Sequence, residues 1–372
     1  MPNTFGHSYR ITTFGESHGG AVGVVIDGVP PGYQLDLQKV QEWLDRRRPG
    51  QSHLSSPRKE KDSLNVLSGI EDGTTLGTPI ALMIRNEDQI PGHYKDMAEV
   101  FRPSHADFTT WAKYGIKAKS GGGRASARET IGRVAGAAVA EQILLSHLPG
   151  LEVVAFVDSV KGLRASGFKI EDMKRSLIEN NPLRCPPCPE RDGMEQTIVD
   201  AQKAGDTVGG TITCVIKGLP PGLGDPVFDK FEADLAKGML SLPATKGFEI
   251  GSGFASTGFF GSEHNDPFFH RADGSIGTTT NRSGGVQGGI TNGEMVYFRV
   301  AFKPVATVFK EQQSVNEKGE DVVLKPKAGR HDPCVLPRAV PMVEAMAVLV
   351  VMDHWLRQIP YQTARGPQSR QP

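Results

Sequence analysis

The 372-residue chain is poor in cysteine, in aromatic rings and in net charge. Four cysteines are too few to staple a chain of this length. That excludes a disulfide framework and makes a reducing, cytoplasmic compartment the expectation. Lysine plus arginine and aspartate plus glutamate each number 42, so no overall field draws the molecule to nucleic acid or to an anionic membrane. No apolar run reaches the roughly 18 residues of a membrane span. The nearest, residues 345–352, is bounded by Glu344 and Asp353 and reads as the middle of a buried helix. The opening "MPNTFGHSYRITTFGESHGG" lacks the charged start and apolar run of a secretory leader. Nucleophile-elbow, Walker-loop and metal-cluster patterns are also missing.

Glycine (44) and proline (26) are plentiful, as many turns around short strands require. Two of those turns repeat. "VVIDGVPPG" at residues 24–32 is echoed by "CVIKGLPPG" at 214–222. Each is followed by a helical pattern (36–48 and 229–240), a Gly-rich strand stretch from Leu64 or Phe248, and an apolar strand (79–85 and 294–302). A long apolar helix then closes each half, at about 126–147 and 337–358. The echo predicts two related halves, about 1–150 and 205–360, within one unit of residues 1–360. Long strands with core helices predict a layered α/β architecture. The first closing helix, rich in small residues ("VAGAAVAEQILL"), is placed at the centre. The polar tail, 361–372, is expected to be disordered.

The chemistry-bearing residues cluster in glycine- and arginine-rich stretches. "SGGGRASARET" (120–130) reads in two ways. It is an anion cradle, in which glycines permit close approach and arginines fork onto phosphate or carboxylate. Alternatively it is a mobile loop before an ordinary helix, with Ser126 as N-cap and Glu129 completing a capping box. His18, in "FGESHGG" just before the first strand, is either a general acid or a surface histidine. His105, beside Arg102 and Asp107 in "FRPSHADFTTWAKYG", sits at a helix start as catalyst or cap. Asp332 in "AGRHDPC" faces the same side as Arg330 or simply caps the next helix. "LDRRRPG" ends a helix with Arg46, Arg47 and Arg48, more cations than a helix dipole needs. Lys303-Pro304 at a strand end could hold a phosphate. Cys185 and Cys188 form a Cys-x-x-Cys, yet Cys214 and Cys334 supply no matching pair for zinc, so no metal is expected. Together these residues describe a site for a polyanionic small molecule with acid catalysis at hand.

"GESHGGAVGVVIDGVPPG", "GGGRASARETIGRVAGAA" and "GRHDPCVLPRAVPMVEAM" closely resemble the three signature regions of the chorismate synthase family. "DRRRPG", "FRPSHADFT" and "GLPPGLGDPVFD" resemble it too, so the likeness runs from about Ser8 to Gln358. The resemblance implies a β-α-β sandwich with internal pseudo-two-fold symmetry, assembled as a homotetramer. It implies a lyase that uses reduced FMN to eliminate phosphate from 5-enolpyruvylshikimate 3-phosphate, with no net redox change, giving chorismate. By the match, His18 lies near the leaving phosphate, His105 by the flavin's pyrimidine edge, and Asp332 near flavin N5 as a proton relay. Ser17, Arg47, Arg48, Arg102, Arg128 and Arg330 would hold the substrate. Flavin contacts would fall on Arg47, His53, Arg124, Ala125, Ser126, Ala244, Gly288, Lys303, Pro304, Val305, Ala306, Thr307 and Arg330. Ala125 and Ala306 stand where many members carry a hydroxyl, and His53 where an arginine is usual. Some members reduce their own flavin with NADPH. This chain shows no dinucleotide fingerprint, so an external reductant is the expectation.

Overall fold

The computed structural model describes residues 3–56, 60–87, 99–118, 121–324, 326, 331–364 and 366. The first sheet contains strands β1 (Thr4–Phe5), β2 (Arg10–Gly15), β3 (Ala21–Asp27), β4 (Leu64–Ser68) and β5 (Ile80–Arg85), in the order β1-β2-β3-β5-β4. The second contains β6 (Glu152–Val160), β7 (Leu163–Arg164), β8 (Gly210–Lys217), β9 (Thr245–Ile250) and β10 (Val296–Phe302), in the order β7-β6-β8-β10-β9. Every pairing is antiparallel, and the two orders run in the same sense. The two Pro-Pro-Gly strands, β3 and β8, sit at the centre of their sheets.

Between the sheets lie α3 (Thr130–His147) and α5 (Leu336–Thr363), packed on each other; α3 rests on β2 and β3, and α5 on β6 and β8. Helices α1 (Leu37–Arg47) and α4 (Phe231–Leu240) flank them, and a short α2 (Asp107–Tyr114) precedes α3 in the chain. The architecture is therefore a β-α-β sandwich with an internal repeat. Residues Leu336 to His354 of α5 are buried without interruption. A helix apolar on all sides belongs inside a core, and this one, long and apolar enough to cross a membrane, is covered by protein instead. The helix reaches Thr363, three residues into the expected tail. Apart from Ala364 and Gly366, the rest of that tail lies outside the described residues.

Small residues set the depth of α3. A Cβ on Gly132 would fall 2.8 Å from the Gly23 carbonyl oxygen and 2.9 Å from Thr13 Cγ2, so the helix rides directly on the strand backbone. β6 is buried along almost its whole length because both faces are covered. A second cluster of Phe156, Val154, Met173, Ile178 and Val215 lies on its outer side. Burying such side chains stabilises by about 1.5–3 kcal/mol each.

Two local expectations are corrected. The His18 turn lies between β2 and β3, after two strands rather than before the first. Ser126 does not start the long helix. Its hydroxyl accepts from the Arg128 N–H at 3.3 Å and begins a 3-10 turn, Ala127–Glu129, and α3 follows from Thr130. Glu129 makes no capping box; its carboxylate accepts from Thr13 Oγ1 at 2.6 Å and pairs with Arg133.

Candidate active site

A cavity of about 950 Å³ opens where the connections into the two central helices meet. Its walls come from the His18 turn, the end of α1, residues 102–106 and 122–129, the end of α4, the segment after β10, and the start of α5. Among its described lining residues are six arginines and two lysines against three carboxylates. Ser104 and Ala244, both on the wall, hold left-handed backbone with φ of 57° and 69°. Non-glycine residues adopt that conformation at a cost and are enriched at functional sites.

Arg47 reaches the cavity through helix periodicity. The buried residues of α1 are Val40, Trp43, Leu44 and Arg47, one helical face at i, i+3, i+4 and i+7. Arg47 is thus presented on the apolar stripe and is fully buried. Burial pushes its guanidinium pKa down, and Asp62, with Oδ2 2.7 Å from Nη2, opposes that shift. The other oxygen of Asp62 accepts from Arg128 Nη1 at 3.0 Å. Glu60 also pairs with Arg128. One buried carboxylate therefore splits its two oxygens between two cavity arginines.

Arg102 and His105 share a second carboxylate. Arg102 donates from Nε at 2.7 Å and from Nη2 at 2.8 Å to Asp107, a bidentate fork. His105 Nδ1 lies 2.7 Å from Asp107 Oδ1, which fixes the ring and turns its Nε2 edge away from the pair. Burial would raise the Asp107 carboxyl, but hydrogen bonds from Arg102 and His105 outweigh it and hold the group well below the usual carboxylate range. A hairpin of Gln312–Val315 and Asp321–Leu324 braces this segment: the Phe101 N–H donates to the Val315 carbonyl at 3.1 Å.

His18 sits in the β2–β3 turn with Ser17 Oγ 3.0 Å from its Nδ1. The glycine loop packs against its ring. A Cβ on Gly121, whose φ is +113°, would lie 2.6 Å from His18 Cε1. A glycine at position 121 lets the backbone touch this imidazole. Asp332 Oδ1 accepts from the Ser56 N–H at 2.7 Å, and its other oxygen pairs with Arg338.

The chorismate synthase family model matches residues 9–356 of this chain. Curated chorismate synthases from Synechococcus sp. (strain RCC307) and Methylacidiphilum infernorum (isolate V4) are each 58% identical, over 360 and 358 residues. Those matches cover 96% of this chain and 99% and 97% of the relatives. A crystal structure of chorismate synthase superposes with a TM-score of 0.71 at 28% identity, covering 95% of this chain and 93% of that one. The chain belongs to the chorismate synthase family.

Most positions that the family likeness singles out meet in this one cavity. Ser17, His18, Arg47, Arg102, His105, Arg124, Ala125, Ser126, Arg128, Ala244, Lys303, Val305, Ala306, Thr307 and Asp332 all line it. Arg48, His53, Pro304 and Gly288 do not. Arg48 follows the last residue of α1, with its side chain toward solvent, where it pairs with Asp45 at 3.4 Å. His53 is exposed in the following loop, and Gly288 is exposed in the turn between Val286–Gln287 and Ile290–Thr291. Arg330 lies outside the described residues. Asp332 is not the cap of α5: that position is Val335, with no side-chain cap, and the arginine on Asp332 is Arg338.

The sequence reading missed Asp62, Asn86 and Arg338 and gave Asp107 no role. Only Asp107 had a local signal, two residues after His105. The chorismate synthase family implies a flavin, and the donor set fits one beside an anionic substrate. Lys303, whose pKa is pushed down by burial and by Lys246, and the segment Val305–Thr307 line the same cavity as the arginines. Cys185 and Cys188 are free thiols with sulfurs 3.5 Å apart, outside the cavity lining.

Proposed function

We infer that this chain catalyses the reduced-flavin-dependent 1,4-elimination of phosphate from 5-enolpyruvylshikimate 3-phosphate, giving chorismate. The product feeds aromatic amino acid biosynthesis, and the enzyme is a carbon–oxygen lyase. The observation that carries the reading is the meeting of His18, Arg47, Arg128, His105, Arg102 and Asp332 in one cavity. A substrate with one phosphate and two carboxylates needs such a cation set, which acts most strongly where water is excluded. Arg47 and Arg128 are already oriented by Asp62, so little reorganisation accompanies binding. His18 donates a proton to the departing phosphate. Asp332, held by the Ser56 N–H and Arg338, is the carboxylate placed to carry a proton away. His105, steadied by Asp107, presents its Nε2 edge to the flavin's pyrimidine side. Reduced FMN, when bound, lends electron density to the breaking carbon–oxygen bond and recovers it.

The same reading places the chain in the cytoplasm as a single domain over residues 1–360, a homotetramer supplied by an external flavin reductant. The test is an anaerobic assay of phosphate and chorismate with dithionite-reduced FMN, oxidised FMN and no flavin. Both products are expected with reduced FMN alone. Phosphate release that ignores the flavin means a phosphatase, and flavin binding with no turnover means a binding protein.

A further inference from the structure

Asn86 follows β5 and spends its backbone N–H and both side-chain polar atoms at the site. Its N–H donates to the Gly20 carbonyl at 3.2 Å. Its Nδ2 donates to the carbonyls of Glu16 at 3.0 Å and Gly19 at 2.6 Å. Its Oδ1 accepts from Arg128 Nε. The orientation of the amide follows from the chemistry, since two carbonyls require donors and a guanidinium requires an acceptor. Glu16 and Gly19 bracket Ser17 and His18, and the Gly19 N–H closes the turn onto the Glu16 carbonyl at 3.2 Å. A single amide thus clamps the histidine turn from both ends and ties it to a cavity arginine.

We propose that Asn86 is a positioning residue that holds His18 in register with Arg128, so that the proton donor and the cation meet the same phosphate. The inference rests on the role of His18 given above. Aspartate is nearly isosteric but has no donor. At this position it keeps an acceptor for Arg128 and sets an anion against two carbonyl oxygens, so it releases the turn without removing the arginine's partner.

Asn86→Asp, His18→Ala and the double variant are compared in the full-length protein. Turnover of Asn86→Asp is expected to fall roughly 10–100-fold, the scale of a misplaced catalytic group, while KM stays within about threefold because Arg128 remains paired. The double variant is expected to be no slower than His18→Ala, because both changes remove one function. Amide hydrogen exchange, which needs no turnover, is expected to speed up at residues 17–20 alone, with the unfolding midpoint retained. If Asn86→Asp does not fold, Asn86→Ser takes the same measurements. Wild-type turnover, fully additive losses, or unchanged exchange in the turn overturns the proposal. An inactive wild type with exchange altered as described overturns the assigned reaction and leaves the clamp standing.

Discussion

The two halves use the same frame and carry different chemistry. In both, a central strand runs through Pro-Pro-Gly into a helix, and the half closes with a helix between the sheets. The helix after the first turn ends in Arg46 and Arg47, with Arg48 capping it; the helix after the second ends in Met239 and Leu240, with Ser241 capping it. Both ends approach one cavity, the first with a buried guanidinium and the second with Lys237, Ser241 and Ala244. The strand-to-closing-helix connections differ as much. The first brings Arg102, His105 and Arg128. The second brings Lys303, Thr307 and Asp332, and its hairpin also props the first half's His105 segment. A repeated scaffold thus fixes where the site lies, and unrepeated connections decide what it does.

The largest expected effect falls on His18, the proton donor of the proposed reaction. His18→Ala should lower kcat by about 10²–10⁴, roughly 3–5 kcal/mol of barrier, with KM nearly unchanged. Steady-state kinetics with reduced FMN decide this. An unchanged kcat with a raised KM would reduce His18 to a binding contact and move the chemistry toward the second half.

Asp107→Asn probes the Arg102–His105 segment that the second half's hairpin braces. Because hydrogen bonds from Arg102 and His105 hold its folded carboxyl below the ordinary 3.8, Asp107 contributes stability that is fully present above about pH 4. That contribution is lost as pH falls through the depressed folded value. The variant should lose about 1.5–3 kcal/mol at neutral pH and show a flatter acid limb. Urea unfolding between pH 3 and 7 measures both; parallel pH profiles would show that the carboxyl is not held in its low range.

Much of the frame was legible, because a strand–turn–helix echo and the apolar face of α1 are local patterns. Arg47 could be found from its spacing to Val40 and Leu44. What stayed hidden was pairing over long separations. Asp62 meets Arg128 66 positions on, and Asn86 meets Gly19 67 positions back. Neither has a periodicity to announce it. The caps proposed for Ser126–Glu129 and for Asp332 failed for one physical reason. Each carboxylate had a stronger partner within reach, Arg133 and Thr13 for Glu129 and Arg338 for Asp332. A charged hydrogen bond outweighs a neutral cap.

A smaller effect is expected where α3 lies on the strand. Gly132→Ala would force a methyl against the Gly23 carbonyl at 2.8 Å. Backbone on backbone cannot yield cheaply, so a loss of about 1–3 kcal/mol is expected. Denaturant unfolding checks it, and an unchanged midpoint would mean the helix is less tightly seated than the distances show.

The smallest effect has the opposite sign and comes from the second half. Gly238 is inside α4, where glycine costs about 0.5–1 kcal/mol relative to alanine. Its φ is not left-handed, so alanine can adopt the same backbone. An added Cβ would meet Met346 Cε at 3.3 Å and Phe5 Cζ at 3.5 Å. The nearer contact is the tip of an unbranched thioether, which can rotate a few tenths of an ångström aside. Alanine also narrows the unfolded ensemble. Gly238→Ala should therefore be neutral or stabilising by up to about 1 kcal/mol, read as a raised urea midpoint at constant slope. Met346 and Phe5 both line the cavity, so the same variant measures how soft that wall is. A destabilisation as large as that of Gly132→Ala would mean that the second half is packed as rigidly as the first, and the contrast between the halves would then rest on charge alone.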